Sequence, residues 1–592
     1  MKFRSLARWS ADPSLDGLKF FAQRLDEMLF DYSLDSYKAP ALNAPYLAKE
    51  ALLLISDIEA GVIDYANLSH VLEELVWSVQ QDKVAKSLLD THIEYYTAIS
   101  TEGELSALKL RLEVLERSIN PARYSLKIIQ QLEAAIASDE KKSIDALTRA
   151  LTTTLINTGI SKQHLYNLVQ KTFFQEGPTI ESTSVAGEFF ELITPTSHKF
   201  DVLLIASRNI REVAESIFAF GLKIPDNIPA DMQSVADAHE FIPSSEEAYV
   251  MATNVEGYDV YSARKKAIQN LDRLSDLLAL FQHRSRITWQ EQAIVSQRCC
   301  KDEMFWVTPP RGPMEKASDF REEKAAKELN TLIKSFSAKG ISFRKFNRVA
   351  DLHGICVSHN IVDNQLVNLW TALETLTPSS AGSSKIANIT SAATPFLMHI
   401  YVGRLVQQLV YDLLIWDKWR AKKILHKVPC AARTTLLGKC LRLLCLPENN
   451  NLREQLYGHL KDFHLLRYRI FRLSESLSNR KKLRDLLATH EKKVAWQIRR
   501  IYRTRNLIVH SGRMPPVYIE TLVENGHDYL DSIIFEVMKT SCGPYSATSL
   551  EQIFEIARIR HQDFMRKISE NTELTTDNCD FLLGPQRILT SI

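Results

Sequence analysis

Apolar residues recur at three- and four-residue spacing in one segment after another of this chain. That pattern restricts it to a mainly helical fold. Before residue 175 the spacing predicts helices over 48–58, 68–89, 104–119, 124–137, 143–155 and 162–173, with Asp and Ser residues near several starts as caps. Helix breakers are scarce: 19 glycines and 20 prolines in 592 residues argue against an all-β fold and against long disordered tracts. No internal period marks a known repeat array.

The middle of the chain changes character. Short β-rich runs at 189–194, 200–206, 248–253 and 305–308 alternate with helical patterns at 209–220 and 260–281, which predicts a small mixed α/β (α+β) domain. The third run is followed by Asn254-Val255-Glu256-Gly257, with a single glycine, and no phosphate-binding or dinucleotide-binding glycine pattern occurs anywhere. Pro309-Pro310-Arg311-Gly312-Pro313 reads as a linker. A chain of this length exceeds one core. The expected division is a helical N-terminal region at 1–178, the mixed domain at 179–310, a helical bundle at 319–570 and a loose tail at 571–592.

The segment from His399 to Trp419 is apolar but broken by Arg404, Gln407, Gln408, Asp412 and Asp417, so it predicts a buried amphipathic helix and no membrane span. The start of the chain lacks the apolar core of a signal peptide. Eight cysteines are scattered, only Cys299-Cys300, Cys440 and Cys445 lying near one another, and no Cys/His spacing matches a zinc site. The expectation is reduced thiols, a cytoplasmic protein, no metal and no cofactor. His353, His359, His459 and His464 read as isolated.

The formal net charge of +2 conceals an asymmetry. From Lys418 to Arg505 there are 23 Lys/Arg against six Asp/Glu. A basic block of that density is the usual footprint of a polyanion partner such as RNA. A solvated helical surface balanced by the acidic N-terminal part has the same composition, and charge counting does not separate the two.

The sharpest stretch runs from Ile498 to Gly512. On a helix, Ile498, Ile501, Tyr502, Ile508 and Val509 share one apolar face, and Arg505 falls in the middle of it. Arginine keeps its charge, so burying it there is costly without a partner. Asn506 adjoins it, and His510 follows just before Ser511-Gly512 and Pro515-Pro516 end the helix. On a continuous helix, five residues at about 100° each put His510 about 140° around from Arg505. The two therefore share a cleft only if the helix ends between them or a second protomer completes it. A second stretch, from Asn364 to Leu376, places Leu366, Leu369, Trp370 and Leu373 on a stripe with Glu374 at its edge. Glu374 either pairs with Arg505 across two packed helices or points to solvent.

Together, Leu369-Trp370-Thr371-Ala372-Leu373-Glu374 and, about 130 residues later, Tyr502-Arg503-Thr504-Arg505-Asn506-Leu507-Ile508-Val509-His510 resemble the HEPN superfamily. Its diagnostic element is Arg, four to six residues, then His. The closest likeness is to the Apea-like branch of bacterial defence proteins, with Arg348 to Gly354 and Lys385 to Ile389 also similar. The resemblance covers roughly 319–569, and the long insertion between the two motifs departs from it. It implies a metal-independent endoribonuclease in which the RNA 2′-hydroxyl attacks its own phosphate. The implied catalytic residues are Arg505, His510 and Asn506, with Glu374 and Tyr502 supporting and Arg499, Arg500, Arg503, Lys492 and Lys493 contacting RNA. It further implies a homodimer through the HEPN-like domain, a toxic effector of an anti-phage or abortive-infection system, and a phage-derived trigger or inhibitory partner acting on the first 310 residues. The competing reading is a non-catalytic RNA- or protein-binding module of the same fold.

Overall fold

The computed structural model describes residues 1, 3–30, 33–98, 105–300, 303–316, 320–379, 384–515, 518–570 and 573–584. The protein is mainly helical with one five-stranded sheet. It divides into two compact units, one formed by Met1–Ala150 with Gly312–Ile592 and the other by Leu151–Arg311. The boundaries expected from the sequence at 178/179 and 310/319 compare with these at 150/151 and 311/312. The N-terminal helices share a unit with the C-terminal bundle.

In the Leu151–Arg311 unit the strands β1 (His198–Ser207), β2 (Leu222–Lys223), β3 (Glu247–Gly257), β4 (Ala293–Gln297) and β5 (Glu303–Val307) form one sheet in the order β2-β3-β1-β4-β5. Every pairing is antiparallel, which makes the domain α+β. β1 is central and buried on both faces, which is why it reads as the continuous apolar run from Val202 to Ala206. Val202 and Leu204 meet Ala263, Ala267 and Leu271 of the Val260–Ala279 helix. Leu203 and Ile205 meet Met232 and Phe241 on the other face. Asp259 starts that helix in a capping box, accepting from the amides of Tyr261 and Ser262 at 2.9 and 3.0 Å while Ser262 Oγ accepts from the Asp259 amide at 3.0 Å.

Three expectations for this unit need correction. The run at 189–194 lies in the Val185–Leu192 helix, its C-cap Ile193 and the residue after it, with Ala186, Phe189, Phe190 and Ile193 buried at helical spacing. A short aromatic run fits either period, and packing of Phe189 on Phe173, 5.2 Å between ring centroids, accompanies the helical one. The pattern at 209–220 forms two 3-10 turns, Arg208–Val213 and Ile217–Phe220, the second stopped by Gly221 at φ +68°. β4 and the two-residue β2 are not among the strands expected from the sequence.

In the other unit the N-terminal periodicity corresponds to helices Ala44–Glu59, Ala66–Gln81, Lys83–Leu88, Leu105–Ser118 and Pro121–Ala137. The pattern at 68–89 divides at Asp82, whose carboxylate accepts from the amides of Val84 and Ala85 at 2.8 and 3.0 Å and starts a new helix. The C-terminal helices include Gly340–Ser358, Val362–Leu376, Lys385–Leu425, Arg480–Asn506, Glu520–Cys542 and Leu550–Ser569. Leu369, Trp370, Ile498, Ile501, Leu530 and Ile533 lie at their common core. The Lys385–Leu425 helix buries Leu405, Val406, Leu409 and Leu413, and its backbone leaves the helical range at Asp417. Among the described residues no helix is long and apolar enough to cross a membrane.

Of the tail expected to be loose, residues 573–584 are described and are docked, while 571–572 and 585–592 lie outside the described residues. Cys579–Leu583 forms a 3-10 turn with Cys579, Leu582 and Leu583 buried. Arg442 reaches Asp580 at 2.7 and 2.9 Å. A Cβ on Gly403 would stand 2.1 Å from the Leu583 carbonyl oxygen. Gly403→Ala is therefore expected to undock this turn at a cost of about 1–3 kcal/mol. Limited proteolysis should then remove the C-terminal segment from the variant well before the wild type. Equal protection in both would refute the close fit.

Candidate functional site

The Arg480–Asn506 helix carries the candidate site at its C-terminal end. Asn479 caps its start, accepting from the Lys482 amide at 3.1 Å. Ile498 and Ile501 anchor the last turns in the core. After Asn506 the backbone widens into a π-helical turn over Leu507–Ser511, which ends at Gly512 in the left-handed region at φ +61°. Ser511 Oγ donates to the Leu507 carbonyl at 2.7 Å within it.

This turn alters the geometry expected from a continuous α-helix. Bonding from residue i to i+5 takes more residues per revolution, so residues five apart stand more nearly above one another. Arg505 and His510 have that separation. Ile508 still packs against the core, while Val509 and His510 turn outward and are exposed. Val509 thus leaves the apolar face on which the α-helical count puts it.

Arg505 is half-buried. Its Nη1 donates to Asn506 Oδ1 at 3.0 Å, and among the described residues its buried Nε has no hydrogen-bond partner. Among the described residues no carboxylate lies within ion-pair distance of it. A buried N–H left without an acceptor costs about 1–3 kcal/mol, so a guanidinium in this state is a natural seat for an oxyanion. His510 makes no ion pair or side-chain hydrogen bond among the described residues and is free to meet a ligand.

Glu374 does not pair with Arg505. Its carboxylate accepts from the indole Nε1 of Trp370 at 3.0 Å and forms an ion pair with Lys385. Trp370, fully buried, packs against Tyr502 with ring centroids 5.2 Å apart. Glu374 and Tyr502 therefore support the helix carrying Arg505 through the tryptophan between them.

The cations expected to contact RNA divide sharply. Arg500 is 1 % exposed and sits between Glu50, at 3.0 Å, and Glu74, at 2.5 Å. Arg503, 4 % exposed, reaches Glu50 at 2.8 Å. Neither presents a surface to a polyanion, and the expectation for both is corrected: the Ala44–Glu59 and Ala66–Gln81 helices neutralise them. Lys493 is exposed and lies 5.3 Å over the Trp77 ring, at a cavity of roughly 850 Å³ lined also by Trp496, Arg149 and Arg404. Solvent reaches this ammonium, but the surrounding protein desolvates it and pushes it down to about 8, with Arg149 acting in the same direction. Lys492 is exposed. Arg499 is half-buried, and desolvation lowers its pKa. Lys492, Lys493 and Arg499 remain available to a ligand.

Two histidines expected to be isolated have partners the sequence did not reveal. His353 lies within the Gly340–Ser358 helix, its Nε2 at 3.1 Å from His527 Nε2 and 3.7 Å from Asp531. His464 is buried with its Nε2 3.4 Å from Asp16. Each pairing joins residues far apart in sequence, so local spacing carries no sign of it. No known family, curated protein or solved structure matches the chain.

Proposed function

We propose that the protein is a metal-independent endoribonuclease that leaves 2′,3′-cyclic phosphate and 5′-hydroxyl ends. The observation that carries this reading is Arg505: a half-buried guanidinium that, among the described residues, has an orphaned Nε and no carboxylate partner, one π-helical turn from an exposed histidine. The resemblance of the two helices to the HEPN superfamily points the same way.

In this reading Arg505 holds the scissile phosphate and stabilises the charge that accumulates on its non-bridging oxygens. The RNA 2′-oxygen bonds to phosphorus as the bond to the 5′-oxygen breaks. His510 takes the 2′-hydroxyl proton or delivers one to the departing 5′-oxygen, a role suited to imidazole near neutral pH. Asn506, bonded to Arg505, orients the guanidinium. A second protomer facing the first would supply the other histidine, so that base and acid come from the two halves of a homodimer.

The biological setting we infer is a cytoplasmic toxic effector of an anti-phage system. The first 150 residues would restrain it: Glu50 and Glu74 grip the helix that carries Arg505, and a phage-derived trigger or an inhibitory partner would act on that grip. The test is incubation of purified protein with total bacterial RNA in EDTA. His510→Ala is expected to slow cleavage by about 10²–10⁴-fold with RNA binding retained. Undiminished cleavage by the variant would remove His510 from the chemistry and favour a binding module.

A further inference from the structure

The α+β unit carries a cluster of soft ligands at one end of its sheet. β1 and β4 run antiparallel with Phe200 opposite Gln297. Continuing that register past β4 sets His198, the first residue of β1, opposite Cys299. The ladder does continue: the Arg298 amide donates to the Lys199 carbonyl at 2.9 Å. The Arg298 side chain then fixes the turn, with Nε donating to Asp201 at 2.9 Å and Nη1 paired with Asp231.

The result is three donor atoms converging on one point. His198 Nδ1 lies 3.3 Å from Cys299 Sγ and 3.2 Å from Cys300 Sγ, and the two sulfurs are 3.2 Å apart. Gln297 Nε2 donates to Cys300 Sγ at 3.1 Å and lies 3.2 Å from His198 Nδ1. Both cysteines are exposed and His198 is partly so. Apolar packing therefore does not account for their convergence.

We propose that His198, Cys299 and Cys300 bind a zinc ion. Two thiolates and an imidazole are the donor set for zinc, and no oxygen ligand is present in the triad to favour magnesium or calcium. An ion at about 2.2 Å from all three atoms sits about 1.2 Å off their plane, on bond lengths ordinary for zinc. That position leaves a fourth site open toward solvent, to be filled by water or an exchangeable ligand. Gln297 acts as a positioning residue, its amide hydrogen-bonding the Cys300 sulfur. The spacing that sequence reading searches for is absent because the histidine comes from a strand about a hundred residues earlier and the cysteines are adjacent.

The site lies outside the Arg505 region and stands or falls separately from the ribonuclease reading. The test uses full-length protein, stripped of metal and kept reduced, titrated with Co²⁺ and then Zn²⁺. One Co²⁺ per chain with a thiolate-to-cobalt charge-transfer band, displaced by one Zn²⁺, is expected. Cys300→Ser and His198→Ala should each weaken zinc binding at least about 100-fold. Gln297→Leu, which keeps all three ligands, should weaken it about 10-fold. Cys430→Ser, distant in sequence and half-buried, should bind like the wild type. Circular dichroism unchanged in the ligand variants would show that the fold is retained, as their exposure predicts. Absence of stoichiometric zinc binding, binding of Cu(I) with none of zinc, or zinc binding equal in wild type, Cys300→Ser and His198→Ala would each overturn the assignment.

Discussion

Arg505→Ala is expected to slow RNA cleavage by about 10²–10³-fold, the usual loss when one donor to a developing oxyanion is removed. The same substitution should leave the melting temperature nearly unchanged. Among the described residues Arg505 makes one side-chain hydrogen bond, to Asn506, and its Nε is buried without an acceptor. Removing an unsatisfied donor relieves a desolvation cost, which offsets the packing lost with the side chain. Arg505→Lys should recover only part of the rate, because an ammonium is a point charge and does not reproduce the planar fork of a guanidinium. Single-turnover cleavage measured beside a thermal melt separates the possibilities. A large loss of stability with an unchanged rate would make Arg505 a packing element.

Arg500→Ala, five residues earlier on the same helix, is expected to do the reverse. It should destabilise the fold by about 3–5 kcal/mol, because it leaves buried carboxylates without their counter-ion. Arg500 bonds to both Glu50 and Glu74, and only Glu50 retains a second arginine, Arg503. The same network gives a pH signature. Burial disfavours the Glu50 carboxylate, but Arg500 and Arg503 outweigh it and hold its pKa down to about 2 from the ordinary 4.5. A depressed carboxyl pKa contributes stability that is complete above the unfolded value and is lost as pH falls through the folded one. The Glu50 contribution is therefore present at pH 7 and disappears between about pH 4.5 and 2. Glu74 moves the other way, since burial outweighs Arg500 and raises its pKa. Its contribution is present below its unfolded pKa and declines as pH rises through the folded one. Urea unfolding across this range should show an acid-dependent loss in the wild type that Glu50→Gln reduces. An identical profile in the variant would contradict the assignment.

Two arginines on one helix thus have opposite fates, and the sequence distinguishes them only in part. Arg505 was legible because it interrupts an apolar stripe, a local signal. Arg500 reads from the sequence as an RNA-contacting cation, since its neighbours in sequence form a basic block. Its partners lie more than 400 residues away, and no local pattern announces them. Glu374 is a second such case. Its position at the edge of the Trp370 stripe was readable, but Lys385, at the start of the following helix, takes the carboxylate that the stripe seemed to offer Arg505.

The fold shows a similar division. Long helices such as Pro121–Ala137 and Val260–Ala279 were readable from their period, and β1 from its unbroken apolar run. The failures were short elements. Phe189 to Thr194 fits strand and helix equally until Phe173 is brought against it. The π-helical turn at Leu507–Ser511 had no sequence signal beyond the five-residue gap between Arg505 and His510. Yet that turn changes the relation of the two residues most.

The terminal chemistry of the RNA fragments tests the central claim most directly. Purified wild-type protein and Arg505→Ala are incubated with RNA in EDTA, and the new ends are identified by mass spectrometry. The account predicts 2′,3′-cyclic phosphate and 5′-hydroxyl ends from the wild type and their near absence from the variant. Fragments bearing 3′-hydroxyl and 5′-phosphate ends, or cyclic-phosphate fragments produced equally by both proteins, would contradict it.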